Sequence, residues 1–138
     1  MMRVILDTNV LVSALLTPDG VTARLLDAWF EGRYELLSSE TQLEELRLVK
    51  RHPKVRRFIE PVIAGGLVND LRQFAEQLTA LPTIDVSKDP ADNFLLAMAE
   101  AGRADTLATG DKRDVLALKR HGSTRIVTAK RLLELLER

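Results

Sequence analysis

The chain has 138 residues, 46% of them hydrophobic, with 20 basic and 20 acidic side chains and no cysteine. That length and apolar content suit one domain, residues 1–138, with a real core, and exclude a disordered chain. The missing cysteines exclude disulfides, zinc–thiolate centres and thiol nucleophiles, and no apolar run has the length of a membrane span.

Strand and helix patterns alternate along the chain, the mark of a layered α/β fold with a parallel sheet. A first strand is expected over residues 3–6; its apolar run is too short for a signal peptide, which sets the expectation of a cytoplasmic protein with no membrane partner. Helical sequence follows to about residue 16. A break at Thr17-Pro18-Asp19-Gly20 precedes a second helix over 21–31, closed by Gly32. Residues 34–37 read as a second strand, and Ser39 with Gln42 has capping-box spacing for a helix running to about 51, before Pro53. Two more helices are expected over 54–63 and 67–78, separated by Gly65-Gly66. Residues 83–86 read as the third strand. A helix over 90–101 follows, with Asp89 as N-cap, Pro90 at its first position and Gly102 beyond its end. The fourth strand is 106–109, then come a short helix over 112–120, a fifth strand over 125–127 and an amphipathic helix over 129–136.

Three times a strand pattern runs into an acidic turn. Val4-Ile5-Leu6 leads to Asp7-Thr8-Asn9, Ile84-Asp85-Val86 to Asp89-Pro90-Ala91-Asp92, and Leu107-Ala108-Thr109 to Gly110-Asp111. In a parallel sheet such junctions share one edge, where ligands of open α/β folds bind. Each acid also has a structural reading: Asp7 and Asp111 as helix caps, Asp92 as a first-turn carboxylate favoured by the helix dipole. Yet Asp89 already fills the capping position of its own segment. Carboxylates gathered at one edge also repel each other unless a cation lies between them.

Glu44 and Glu45 compete for a fourth place. Glu44 has Arg47 three residues on and suits a surface ion pair. Glu45 lies beside the apolar stripe with no basic helical neighbour, a costly place for an unpaired charge, so it is the better candidate ligand. Oxygen ligands of this kind suit Mg²⁺ or Mn²⁺, which would lower the pKa of a bound water and neutralise phosphate oxygens. Asn9, Thr109 and Asp114 are candidates for supporting roles.

Zero formal charge speaks mildly against a nucleic-acid partner, but the distribution is uneven. Residues 47–57 carry Arg47, Lys50, Arg51, Lys54, Arg56 and Arg57 with no acid among them, and they read either as a phosphate-binding surface or as a solvated helical face. His52 and His121 have no metal-ligand spacing and are expected at the surface. Leu25, Trp29 and Phe30 offer an apolar face that either packs on the sheet or supports a homodimer.

With the acids placed, the sequence resembles the PIN domain, in particular its compact bacterial branch of toxin components of toxin–antitoxin systems. The matching stretches are Asp7-Thr8-Asn9-Val10-Leu11-Val12-Ser13-Ala14-Leu15, Leu43-Glu44-Glu45-Leu46-Arg47, Asp89-Pro90-Ala91-Asp92-Asn93-Phe94-Leu95 and Ala108-Thr109-Gly110-Asp111-Lys112. The resemblance implies a three-layer α/β/α sandwich around a five-stranded parallel sheet of order 3-2-1-4-5. It implies Mg²⁺- or Mn²⁺-dependent ribonuclease activity, with Asp7, Glu45, Asp92 and Asp111 as acidic ligands and Thr109 as the hydroxyl before the last acid. An antitoxin protein is the implied partner.

Two other readings compete. One is a PIN-like module that only binds RNA or a protein. The other is a phosphatase with an aspartyl nucleophile, which usually wants a second acid two residues later, where this chain has Asn9.

Overall fold

A computed structural model describes residues 1–110 and 113–137, with the side chains of Lys50, Lys54, Pro61, Arg113 and Asp114 outside that description. The elements run β1 (Arg3–Leu6), α1 (Thr8–Leu16), α2 (Val21–Phe30), β2 (Glu35–Ser39), α3 (Glu40–Lys50), α4 (Pro53–Phe58) and α5 (Pro61–Phe74). They continue with β3 (Glu76–Leu78), α6 (Pro90–Gly102), β4 (Thr106–Thr109), α7 (Arg113–Leu118), β5 (Arg120–His121), β6 (Thr124–Thr128) and α8 (Ala129–Leu136). The sheet order is β3-β2-β1-β4-β6-β5. Five strands are parallel, and the expected 3-2-1-4-5 order is theirs. The sheet differs in gaining a sixth strand, the short β5, antiparallel to β6.

Alternation along the central strands builds the layers. Val4, Leu6, Leu36 and Ala108 face one core with residues of α1, α2, α3, α5 and α8. Ile5, Leu37 and Leu107 face the other, with α6 and Val115 of α7. Successive strand residues point to opposite faces, so a sheet covered on both sides reads as a continuous apolar run.

Three local expectations fail, each for a physical reason. Residues 83–86 form no strand; the place beside β2 is taken by Glu76–Leu78, expected to end a helix. There α5 stops at Phe74 because Ala75 turns extended, and the Gln77 side-chain amide donates to the carbonyls of Leu71 and Ala75 at 2.8 and 3.2 Å. Gly65-Gly66 does not divide two helices but lies inside α5, whose residues Ala64, Leu67, Val68 and Leu71 are buried. Each glycine costs about 1 kcal/mol of helix propensity, and burial of that stripe offsets it. Gly102 is the last residue of α6 rather than the one beyond, and Arg103 takes the left-handed conformation at φ 49°. A Cβ at Gly102 would stand 2.6 Å from Leu37 Cδ1, so the close approach of helix and sheet claims the glycine.

Candidate active site

Asp7 follows β1 directly and keeps that strand's ladder, its N–H donating to the Ala108 carbonyl of β4 at 2.9 Å. Its carboxylate is 1% exposed. Oδ1 accepts from the Asn9 N–H at 3.1 Å and so caps α1, while Oδ2 accepts from the Thr109 hydroxyl at 2.9 Å. The capping reading of Asp7 is therefore realised, and the same side chain is tied across two strands. Asn9 contributes its backbone, and its side chain is exposed. Beside Asp7, the buried Thr8 hydroxyl has no hydrogen-bond partner among the described residues.

Asp92 lies in the first turn of α6 and is 2% exposed. Asp89 fills the cap, accepting from the Ala91 N–H at 2.9 Å. The Ser87 hydroxyl donates to Asp92 Oδ2 at 3.1 Å. Asn93 in turn holds the loop before the helix, its Oδ1 accepting from the N–H groups of Val86 and Ser87 and its amide donating to the Ser87 carbonyl. Asp92 thus does not follow a strand, as the reading of 83–86 implied. It reaches the site by helix direction instead. The C-terminus of α6 meets the start of β1, where the Gly102 carbonyl accepts from Arg3 Nε at 3.0 Å. Thirteen residues carry the other end ~20 Å away, past the four-residue strands it packs on. Both carboxylates therefore lie in the first turn or cap of a helix, at the positive end of its dipole.

Glu45 sits half-buried on α3, while Glu44 makes the expected surface pair with Arg47 at 2.9 Å. Asp111 lies outside the described residues, as does the side chain of Asp114. In the basic stretch, Arg51, Arg56 and Arg57 are exposed and have no acidic partner among the described residues, whereas Arg47 is shared between Glu40 and Glu44. His52 is exposed, and His121 meets Glu100 at 2.9 Å. Leu25 and Trp29 are core residues, which leaves Phe30 alone of the proposed dimer face at the surface.

Sequence reasoning passed over three supporting residues. Gln42 is buried in α3, its amide donating to the Leu6 carbonyl at 2.8 Å while its Oε1 accepts from Ser38 at 2.7 Å. It fixes the end of β1 just before Asp7. Ser87 and Asn93 do the same for Asp92. Gln42 had a signal, a capping-box position, but its side chain reaches β1 instead of the cap; the Ser87 contact depends on a loop that no periodicity marks.

Among the described residues no three acidic or histidine side chains form a cage for an ion. The donor set still fits a hard divalent cation, since Mg²⁺ keeps several waters and uses one or two carboxylates. Asp7 and Asp92 are two such groups, buried and held on one oxygen by a neutral hydroxyl.

A family model of the PIN domain matches residues 3–113, and the chain belongs to that family. PIN domains are in general nucleases that use divalent metals, so membership supports a nuclease, in coarse terms a hydrolase of nucleic acids. The chain is also similar to an uncharacterized protein of Methanocaldococcus jannaschii, 28% identical over 124 residues, covering 85% of this chain and 75% of that protein. No solved structure matches the chain at a significant level.

Proposed function

We propose that this nuclease is a ribonuclease that hydrolyses RNA phosphodiester bonds with Mg²⁺ or Mn²⁺ held by Asp7, Glu45, Asp92 and Asp111. The observation that carries the reading is the Asp7 carboxylate, buried at the end of β1 and clamped between Asn9 and Thr109. Carboxylate oxygens held in place in this way are the ligand type a hard divalent cation takes. A cation bound there would supply a water of lowered pKa and neutralise phosphate oxygens.

The chain's own part is positioning. Thr109 and the start of α1 fix Asp7, and Ser87 fixes Asp92, so neither carboxylate has to reorganise when substrate arrives. Arg51, Arg56 and Arg57 hold the sugar-phosphate backbone, for which the guanidinium fork is suited. EDTA should stop cleavage of single-stranded RNA and Mg²⁺ or Mn²⁺ restore it, while Asp7→Asn should lower it by about a hundredfold or more. Cleavage that survives both treatments removes the metal reading. Replacing Arg51 and Arg56 together should weaken binding across RNA sequences and flatten the logarithmic salt dependence by roughly one unit per lost contact. An unchanged slope in filter binding would return the stretch to a solvated face.

The proposal extends to a toxin restrained by an antitoxin protein, which the motif resemblance to compact bacterial PIN toxins supports. The same Asp7→Asn variant tests it in cells: the wild type expressed alone should arrest growth and the variant should not.

A further inference from the structure

A cavity lies at the opposite edge of the sheet, where β2 and β3 begin. It measures about 540 Å³ and is bounded by Trp29 and Phe30 at the end of α2, Tyr34 and Glu35 at the start of β2, Phe74 at the end of α5, and Glu76 of β3. The chain has only six aromatic residues, one Trp, one Tyr and four Phe, and four of them line this cavity. Two of the four serve packing and two stand at the surface. Tyr34 is anchored by donating its hydroxyl to the Leu25 carbonyl at 2.6 Å and Trp29 is core, but Phe30 and Phe74 remain 56% and 63% exposed.

The charged residues of the lining are both acids, Glu35 and Glu76. Arg3 binds both, using both oxygens of Glu76 and only Oε2 of Glu35, so Glu35 keeps Oε1 open to a further donor. Aromatic faces beside a carboxylate attract a cation carried on an apolar body. The same carboxylates repel phosphate, which sets this cavity apart from any RNA path. Both phenylalanines line the cavity and are exposed, so a segment entering it meets both rings. The volume is ample for large side chains, within the roughly 300–1,000 Å³ of ligand pockets.

We propose that this cavity is a docking site for a short segment of a partner protein in which a bulky apolar side chain stands next to a lysine or arginine. The apolar side chain enters between Phe30 and Phe74, and the basic one meets Glu35 and the ring faces. This inference is independent of the nuclease reading, since it uses none of the same residues.

Trp29 is the chain's one tryptophan and lines the cavity, so its emission reports occupancy directly. The full chain should be titrated with a blocked peptide carrying adjacent phenylalanine and arginine. A saturable change in emission is expected, with binding about tenfold weaker when arginine is replaced by glutamate or phenylalanine by alanine. Phe74→Ser and Glu35→Gln, both at exposed positions, should each weaken binding several-fold while the far-ultraviolet circular dichroism stays unchanged. Equal binding of the glutamate peptide, or a response that Phe74→Ser does not alter, overturns the proposal. So does saturation by oligouridine, or an emission change that follows protein concentration alone and vanishes with a dimer in Phe74→Ser, which would assign the cavity to a second copy.

Discussion

The two edges of the sheet treat their acids in opposite ways. At the edge where β1 and β4 end, Asp7 and Asp92 are buried and meet neutral hydroxyls and backbone N–H groups. At the edge where β1, β2 and β3 begin, Glu35 and Glu76 are half-exposed and share the Arg3 guanidinium at 3.0 and 2.5 Å. There the hydrogen bond from Arg3 holds the Glu76 carboxyl below its ordinary value, and Glu76 in turn raises Arg3. A carboxylate whose counter-charge comes from the same chain has its electrostatics completed by folding. Asp7 and Asp92 are instead gripped by hydroxyls, which orient a carboxylate without supplying a charge of their own. The contrast separates acids that tie one edge together through a shared guanidinium from acids that hydroxyls hold still at the start of two helices.

The strongest way to break this contrast is to neutralise one acid at each edge. Asp7→Asn should cost at least about a hundredfold in cleavage while changing stability by no more than about 1 kcal/mol, because asparagine still caps α1. Next in size is Gly102→Ala at the Arg3 edge. It should destabilise by about 1–3 kcal/mol, since its methyl must displace Leu37 and Leu78. Denaturant melts should show that loss with cleavage per folded molecule unchanged.

Asp92→Asn sharpens the comparison further. It keeps the shape, relieves the repulsion expected among the four proposed ligand acids, and should stabilise the metal-free protein by up to ~1 kcal/mol. It should also shrink the rise in Tm that Mg²⁺ gives the wild type, because that rise reflects binding to the folded state alone. Thermal melts in EDTA and in Mg²⁺ check both; a destabilised variant with an undiminished shift would make Asp92 a helix-start residue only.

The smallest effect belongs to Glu76. Its folded-state carboxyl titrates below its unfolded one, so its contribution is present above the unfolded value and fades as pH falls through the lowered folded value. Because the pair is half-exposed, Glu76→Gln should cost less than about 1 kcal/mol near neutral pH. Wild type and variant should converge in stability in acid. A difference that persists there would mean packing, not charge, sets the effect.

How much of this was legible depended on how strongly each segment declares itself. Val4-Ile5-Leu6 before Asp7, the Asp89-Pro90 start of α6 and the apolar run into Thr109 carry caps and unbroken apolar stretches, and the structure places those elements where the sequence does. The third strand escaped because Glu76-Gln77-Leu78 is short, polar and at an edge, while Ile84 and Leu81 are apolar for a different reason: they pack against the second core as loop residues. The pair Gly65-Gly66 imitates a helix boundary, and only the buried stripe of α5 overrides it. At the site, spacing singles out Asp7 and Asp92, and both are buried. Gln42 and Ser87 act through contacts 36 and 5 residues away, which no local pattern encodes.

The borders of the sheet have a consequence for how the protein meets other chains. A long bare border strand offers rows of unpaired N–H and C=O groups on which foreign strands can template. Here one border is the three-residue β3, opened by the ion-paired Glu76, and the other is the two-residue β5, folded back by Lys119 and Gly122 at positive φ. An incoming strand would find two or three rungs and then a charge or a turn. The folded molecule therefore resists strand exchange and fibril seeding at both ends, and aggregation has to wait until the sheet itself comes apart.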